Sequence, residues 1–161
     1  MDYEPAIFRD VPYGTVMASP CSPQIVDPSF RGIAIRVPAR IAARPNEELV
    51  VPICGYYVLP TAEAVTAGGM QVHMRNLADP SRPPFEVSVT GGRQRNVPAD
   101  PPPQGSRPID VRRFAGQISK SYFNLDIQQF MEQPLPPGTY DIVVSYGRAQ
   151  SNVGRIEIAV R

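Results

Sequence analysis

The chain has 161 residues, of which 42% are hydrophobic, and a formal net charge of +1. This length and composition predict one folded domain, and they exclude wholesale disorder and any binding to nucleic acid or membranes driven by overall charge. The 20 prolines and 12 glycines are well above the usual share. They exclude a helical bundle, because proline interrupts helices and central strands.

The sequence predicts no membrane span, because every hydrophobic stretch is interrupted before the roughly 20 apolar residues that a spanning helix needs. The opening residues, MDYEPAIFRD, carry acids and a proline where a secretory signal has a basic and then an apolar region. Two interpretations follow: a cytoplasmic protein, or a periplasmic or secreted protein whose signal has been removed. All basic residues except Lys120 are arginines, which is typical of a GC-rich bacterial genome.

Residues 1–30 contain five prolines without sustained periodicity, and we predict an extended arm packed on the domain, with one short strand near residues 14–18. The two cysteines, Cys21 and Cys54, match no zinc or redox motif. They form a disulfide in an oxidising compartment, or they remain two separate thiols in a cytoplasmic protein. We favour the disulfide, because the arm has little else to hold it.

Alternating hydrophobic residues predict half-buried strands after the arm. These strands are expected at residues 33–37, 48–59, 70–74 and 85–89. A short helix is expected between the second and third of them, with Thr61 as its N-cap and Gly68 as its C-cap. In the second strand Cys54 has the opposite parity to the core residues, so we expect it to face outward, where the arm can reach it.

Residues 91–108 differ in kind from the rest, because they are rich in proline and glycine and contain no apolar residue larger than Val97. Such a segment cannot contribute to a core, and long loops of this kind are usually functional or disordered. We predict a protein-contact surface in and just after it, formed by Arg93, Arg95, Asp100, Arg107, Arg112 and Arg113. A solvated basic loop is the simpler alternative. Because the whole chain carries only +1, we expect no nucleic-acid partner.

Residues 109–161 predict strands at 109–118 and 123–127, a helical turn at 128–133, and a closing hairpin. Tyr140 follows the turn Pro136-Pro137-Gly138 at the start of the penultimate strand. This placement resembles the tyrosine corner of immunoglobulin-like and fibronectin type III sandwiches, in which the hydroxyl binds a nearby backbone group. The chain differs from antibody domains, because it lacks tryptophan and has Ile142 where they have their second core cysteine.

This resemblance implies an all-β fold, namely an Ig-like antiparallel β-sandwich of seven to eight strands over residues 31–161, with Tyr140 in a structural role. The motif covers only the region around Tyr140, so it indicates no specific family. An open sandwich also has exposed edge strands, and self-association through such an edge is a further expectation.

Residues suited to catalysis or metal binding are few. The chain has one histidine, His73, on the polar side of its strand, and a catalytic triad would have to use it. Glu47 and Glu48 lie in a turn and point to different sides. With no tryptophan, the candidates for sugar-binding platforms are Tyr56, Tyr57, Tyr122 and Tyr146. We therefore predict no catalytic residue, no metal and no cofactor.

The absence of catalytic motifs, the expected sandwich and the long loop favour a non-enzymatic protein–protein interaction or structural module. We expect it in a bacterial envelope or secreted assembly, with another protein as its partner. The alternative is a small inhibitor or immunity-type protein that blocks a partner enzyme through the Pro-rich loop, since such loops lose little entropy on docking. A hydrolase or other enzyme is the third hypothesis.

Overall fold

The computed structural model describes residues 2–4, 6–89 and 110–160, which fold mainly as β-strands. The strands are β1 (Asp2–Glu4), β2 (Gly32–Arg36), β3 (Arg40–Ala43), β4 (Pro52–Pro60), β5 (Met70–Asn76), β6 (Phe85–Val89), β7 (Ile118–Asp126), β8 (Gly138–Tyr146), β9 (Ala149–Gln150) and β10 (Gly154–Val160). The other described elements are the helix α1 (Thr61–Ala67) and 3₁₀ turns at Ala6–Phe8, Val111–Phe114 and Ile127–Phe130. Within these ranges no helix has the length and apolar character needed to cross a membrane.

The strands form two sheets, which confirms the prediction of an all-β fold. The larger sheet has the order β1-β3-β10-β8-β5-β6, with β9 also paired to β8, and the smaller sheet has the order β2-β4-β7. Neighbouring strands are antiparallel except β3 and β10, which are parallel. Because β2 and β3 belong to different sheets, the chain crosses between the sheets at residues 37–39.

One hydrophobic core joins the two sheets. The alternate residues Tyr140, Ile142 and Val144 of β8 are buried in the same cluster as Ile53 of β4 and Leu125 of β7. This is the period of two that the sequence shows, since successive side chains of a strand point to opposite faces. The alternation therefore predicted correctly which face of these strands is buried.

A second, smaller cluster lies beneath the arm. Its buried members are Phe8, Val11, Cys21 and Cys54. The two cysteines form a disulfide, with their Cα atoms 5.8 Å apart, so Cys54 faces outward from β4 as its parity predicted. The short strand predicted near residues 14–18 is absent from the arm. Gly14 and Thr15 instead form isolated backbone hydrogen bonds with Asn124 of β7.

The sequence predicts a strand at residues 109–118, and among the residues described this prediction is wrong for 110–117. They contain the 3₁₀ turn Val111–Phe114, and β7 begins only at Ile118. The Asp110 side chain accepts a hydrogen bond from the backbone N–H of Arg112 at 3.1 Å. Such local side-chain caps compete with extended structure, which explains the difference.

The helix α1 occupies the predicted residues. Gly68 closes it with φ of 72°, a left-handed conformation that glycine adopts without steric cost. The prediction of Thr61 as the N-cap is wrong, because Pro60 occupies that position and makes no side-chain cap. The Thr61 hydroxyl instead lies 2.8 Å from the Ser119 hydroxyl, and so it links the helix to β7.

Tyr140 is completely buried at the start of β8. Its hydroxyl donates a hydrogen bond to the carbonyl oxygen of Pro136 at 2.8 Å. Pro136 lies in the connection that leads from β7 in the smaller sheet to β8 in the larger sheet. The bond therefore fixes this connection against the first residues of β8.

We expect Tyr140→Phe to lower the free energy of unfolding by about 1 to 2 kcal/mol, because the carbonyl of Pro136 loses a partly buried hydrogen bond while the ring still fills the core. Urea unfolding of the two proteins side by side measures this difference. Equal midpoints would show that the hydroxyl does not stabilise the connection.

Candidate functional site

The described structure has two ends, defined by the strand directions. At one end, which we call the helix end, lie α1, the turn between β8 and β9, and the residues Val89 and Asp110 that flank residues 90–109. At the other end, the groove end, lie the connections formed by residues 44–51, 77–84 and 127–137. The two ends are separated by the length of β4, whose nine residues span about 30 Å.

Four of the six predicted contact residues, Arg93, Arg95, Asp100 and Arg107, lie outside the described residues. The other two, Arg112 and Arg113, are exposed in the 3₁₀ turn at the helix end. The Arg112 guanidinium binds the Asp110 carboxylate through Nε and Nη2, at 3.1 and 3.3 Å. These hydrogen bonds from Arg112 lower the pKa of Asp110. Arg113 has no ion-pair partner in the described part of the chain.

Hydrogen bonds between separate elements brace the helix end. The Glu63 carboxylate of α1 accepts a hydrogen bond from the backbone N–H of Arg148 at 2.7 Å. The backbone N–H of Thr61 donates to the carbonyl of Gln117 at 2.9 Å. These bonds join α1 both to the β8–β9 turn and to the residues that precede β7. The elements next to residues 90–109 are therefore held in place by hydrogen bonds.

The arm is fixed to the outer side of β7 by one buried polar side chain. Asn124 is fully buried. Its amide nitrogen donates to the carbonyl of Met17 at 2.7 Å, and its amide oxygen accepts from the Ser19 hydroxyl at 3.1 Å. Together with the Cys21–Cys54 disulfide, these bonds hold residues 14–22 along β7 and β4. Asn124 was not singled out from the sequence, because its parity alone makes it look like a surface residue.

A groove of about 710 Å³ opens at the groove end, between residues 44–49 and 128–137. We call it the end groove. Its volume is within the range of ligand-binding clefts. The apolar part of the lining includes Leu49, Leu135 and Ile158, and the charged part consists of Arg44, Glu47, Glu48 and Glu132. Among these lining side chains the carboxylates outnumber the guanidinium.

The wall of the end groove formed by residues 128–137 is held by side chains. The Gln128 amide nitrogen donates to the carbonyl of Gln133 at 2.8 Å, and its amide oxygen accepts from the backbone N–H of Leu135 at 3.0 Å. The hydroxyl of Tyr140 binds Pro136 in the same wall. The prolines of this segment restrict the backbone further. The groove is therefore largely preformed.

Asp126 is a buried carboxylate next to this wall. It accepts hydrogen bonds from the backbone N–H groups of Val51 and Gln128 and from the Gln129 amide, at 2.9, 3.1 and 3.3 Å. Burial raises the pKa of Asp126 despite these bonds, and the charge of Glu48 acts in the same direction. The carboxylate joins the connection before β4 to the end of β7, and so it is a structural residue.

We expect Asp126→Asn to be as stable as the wild type or more stable at pH 7. The amide oxygen of asparagine still accepts the hydrogen bonds from the backbone, and the side chain places no charge in the interior. The folded state holds the Asp126 proton more tightly than the unfolded state. The wild type should therefore lose stability relative to Asp126→Asn as the pH rises from the ordinary pKa of 3.8 through the raised value.

Urea unfolding of both proteins between pH 4 and pH 7 tests this expectation. Asp126→Ala is the matched control, and we expect it to lose about 2 to 3 kcal/mol, because buried N–H groups are left without an acceptor. If the difference in free energy of unfolding between the wild type and Asp126→Asn does not change with pH, then the pKa of Asp126 is not raised in the folded state.

Three polar side chains line up on the outer face of the larger sheet. His73 Nε2 lies 3.0 Å from the Ser145 hydroxyl, and His73 Nδ1 lies 3.5 Å from a Glu86 carboxylate oxygen. Of these three residues only His73 was a candidate from the sequence, because Glu86 faces His73 only through the pairing of β5 with β6. The register of the β5–β6 hairpin is the feature from which Glu86 could have been identified as a neighbour of His73.

A carboxylate, an imidazole and a hydroxyl in a row are the parts of an activated nucleophile. Acyl transfer also needs N–H donors that point at the developing oxyanion. Here the backbone N–H groups of β5 and β8 lie in the plane of the sheet, where they pair with neighbouring strands. The three residues therefore form a row of polar contacts on the surface, and we assign them no catalytic role.

The tyrosines considered as sugar platforms fall into two pairs, and all four are half-buried. Tyr57 and Tyr146 lie 5.3 Å apart between ring centroids and pack against the main core. Tyr56 and Tyr122 lie 4.7 Å apart on the outer face of the smaller sheet, where Phe30 stacks on Tyr56 at 6.4 Å. The rings of this second set cover one another, so they do not present separate flat platforms.

Across the described ranges, no group of three or more His, Cys, Asp and Glu side chains is arranged to hold a metal ion. No protein-family model matches the chain, and no curated protein is significantly similar to it in sequence.

Proposed function

We propose that this protein is a non-enzymatic interaction module of a bacterial envelope or secreted assembly, which binds another protein at its helix end. The contact residues are Arg93, Arg95, Asp100 and Arg107 in the segment 91–108, together with the adjoining Arg112 and Arg113. The framework that presents them is an Ig-like sandwich. The inhibitor or immunity-type function remains the second candidate, since it would use the same segment.

The strand order supports the Ig-like assignment. Such sandwiches consist of two packed sheets joined by connections that cross between them. Here β2 joins the smaller sheet, while β3, the next strand, pairs with β10 in the larger sheet. The hydrogen bond from the buried Tyr140 to the carbonyl of Pro136 is also the kind of bond that the tyrosine corner implies.

The proposal of protein binding rests on one observation. A long basic segment starts and ends at the helix end, where hydrogen bonds join the separate elements of the framework. Residues 91–108 contain three arginines and one aspartate. Val89 and Asp110, which flank the segment, belong to elements held by strand pairing and by a side-chain cap. Loops carried on a fixed scaffold are where binding residues concentrate in many β-sandwiches.

The Cys21–Cys54 disulfide supports the envelope or secreted location. Disulfides persist in oxidising compartments and are rare in the cytosol. The bond also joins the arm to β4, which stabilises the framework against the conditions outside the cytosol.

Affinity capture from envelope and culture fractions of the source organism tests the proposed function. The wild type is compared with a variant whose residues 92–107 are replaced by a short Gly/Ser turn. A second variant, Arg93→Ser/Arg95→Ser/Arg107→Ser, keeps the length of the segment and removes its positive charge. We expect one protein to be enriched by the wild type and lost with both variants.

Capture of the same protein by all three baits would show that the segment is not the contact surface. If the captured protein is an enzyme whose activity the wild type blocks, the inhibitor function replaces the assembly function. Melting temperatures of the variants should equal that of the wild type, because the replaced residues are not part of the described core.

A further inference from the structure

The end groove is negatively charged and has carboxylates available for a ligand. Glu48 and Glu132 are both exposed, and neither takes part in an ion pair with the described residues. These two exposed carboxylates give the groove an excess of negative charge. A ligand that fits the groove should therefore carry positive charge, since complementary potentials set specificity and the rate of association.

The groove also offers apolar surface. Leu135 and Ile158 are buried at its base, and the wall from residue 134 to residue 137 contains three prolines. Such a lining suits a partner segment that combines arginine with proline and small residues. A preformed groove and a proline-rich ligand both lose little conformational entropy when they associate.

The chain itself contains a segment of this chemistry. Residues 91–108 carry three arginines and one aspartate, a formal charge of +2, and include the run Pro101-Pro102-Pro103. The segment and the groove thus carry charges of opposite sign. Both residues that flank the segment, Val89 and Asp110, lie at the helix end, about 30 Å from the groove.

We propose that the end groove of one copy binds residues 91–108 of a second copy, so that the protein assembles head to tail. A segment of 20 residues, anchored at both ends at the helix end, reaches the groove of its own copy only if it is fully extended. A second copy places the segment there without this constraint. The proposal rests on the proposed function, because it uses the same contact segment, and it names the partner.

The interface is heterologous, since a groove meets a segment rather than a second groove. Each pair of copies then leaves one groove and one segment unoccupied, so assembly continues as concentration rises. Because the contact is electrostatic and exposed, salt should weaken it.

The first test measures binding of a labelled synthetic peptide with the sequence of residues 91–108 to the full chain, by fluorescence anisotropy at 50 mM and 500 mM NaCl. We expect binding that weakens at least tenfold at the higher salt and at least tenfold in Glu48→Lys/Glu132→Lys. The matched control is Glu86→Lys/Glu157→Lys, which makes the same change in charge on the outer face of the larger sheet and should bind like the wild type.

The second test uses sedimentation of the full chain over a range of concentrations. We expect the mean mass of the wild type to rise with concentration, while Glu48→Lys/Glu132→Lys and Arg93→Glu/Arg95→Glu each stay monomeric. A mixture of these two variants should form one-to-one dimers that grow no further, because it contains one intact groove and one intact segment for each pair.

A wild type that stays monomeric at all concentrations overturns the proposal, even if the peptide binds, because the groove would then serve a basic segment of another protein. Equal peptide binding by the groove variant and its control also overturns it. The proposed function fails separately: it is lost if the segment variants capture the same proteins as the wild type, whatever the sedimentation result.

Discussion

Removing the disulfide with Cys21→Ala/Cys54→Ala should lower the free energy of unfolding by about 3 to 4 kcal/mol. The two cysteines are separated by 33 positions in the sequence, and a cross-link over a loop of this length restricts the unfolded chain by that amount in the chain-entropy model. Both side chains are fully buried, so the loss of their packing in the cluster with Phe8 and Val11 adds to the effect.

The sandwich should nevertheless stay folded, because the disulfide lies outside the main core. We expect the arm alone to loosen, and trypsin to cleave after the exposed Arg9 and Arg31 faster in the variant than in the wild type. Urea unfolding and timed proteolysis measure the two effects.

Wild type treated with a reducing agent is the matched control, and it should behave like the double variant. If neither the urea midpoint nor the cleavage rate changes when the bond is lost, then the buried Asn124 and its hydrogen bonds hold the arm without help from the disulfide. In that case the disulfide would have no role in fixing the arm.

The strands that the sequence predicts well are those with one buried and one exposed face. In β2 the burial alternates along Gly32–Arg36, and the same is true of most of β8. Period-two patterns report this geometry directly. The same rule placed Cys54 on the outer face and so made the disulfide to the arm predictable.

Elements fixed by distant partners could not be predicted in this way. In β3, Ile41, Ala42 and Ala43 are all buried, so no alternation is visible. The strand exists because it pairs with β10, more than a hundred residues later in the chain. The arm was predicted as extended, but β1 at its start is likewise fixed by pairing with β3.

The end groove was invisible in the sequence for a related reason. Its two walls are about eighty residues apart, and each looks like an ordinary polar turn. Glu48 and Glu132 become part of one surface only when β4 pairs with β7 and brings the two connections together. By contrast, the charge of residues 91–108 could be recognised at once, because it depends on local composition alone.

Gly55→Ala should lower the free energy of unfolding by about 3 kcal/mol, at the upper end of what overpacking a core usually costs. Gly55 is paired with Phe123 of β7, and the ring of Phe123 lies over it. A Cβ atom at Gly55 would overlap this ring. The ring is buried and stacks on Tyr57 at 6.4 Å between centroids, so it cannot move aside without disturbing the core.

A double-mutant cycle with Phe123→Leu tests whether the overlap is the cause. Leucine does not reach the far atoms of the ring that a Cβ at Gly55 would meet, so Gly55→Ala should cost about 1 to 2 kcal/mol less in the Phe123→Leu background. Urea unfolding of the wild type, the two single variants and the double variant supplies all four free energies. Strictly additive losses would mean that the cost arises from the backbone of β4 itself, and that the ring does not require glycine at position 55.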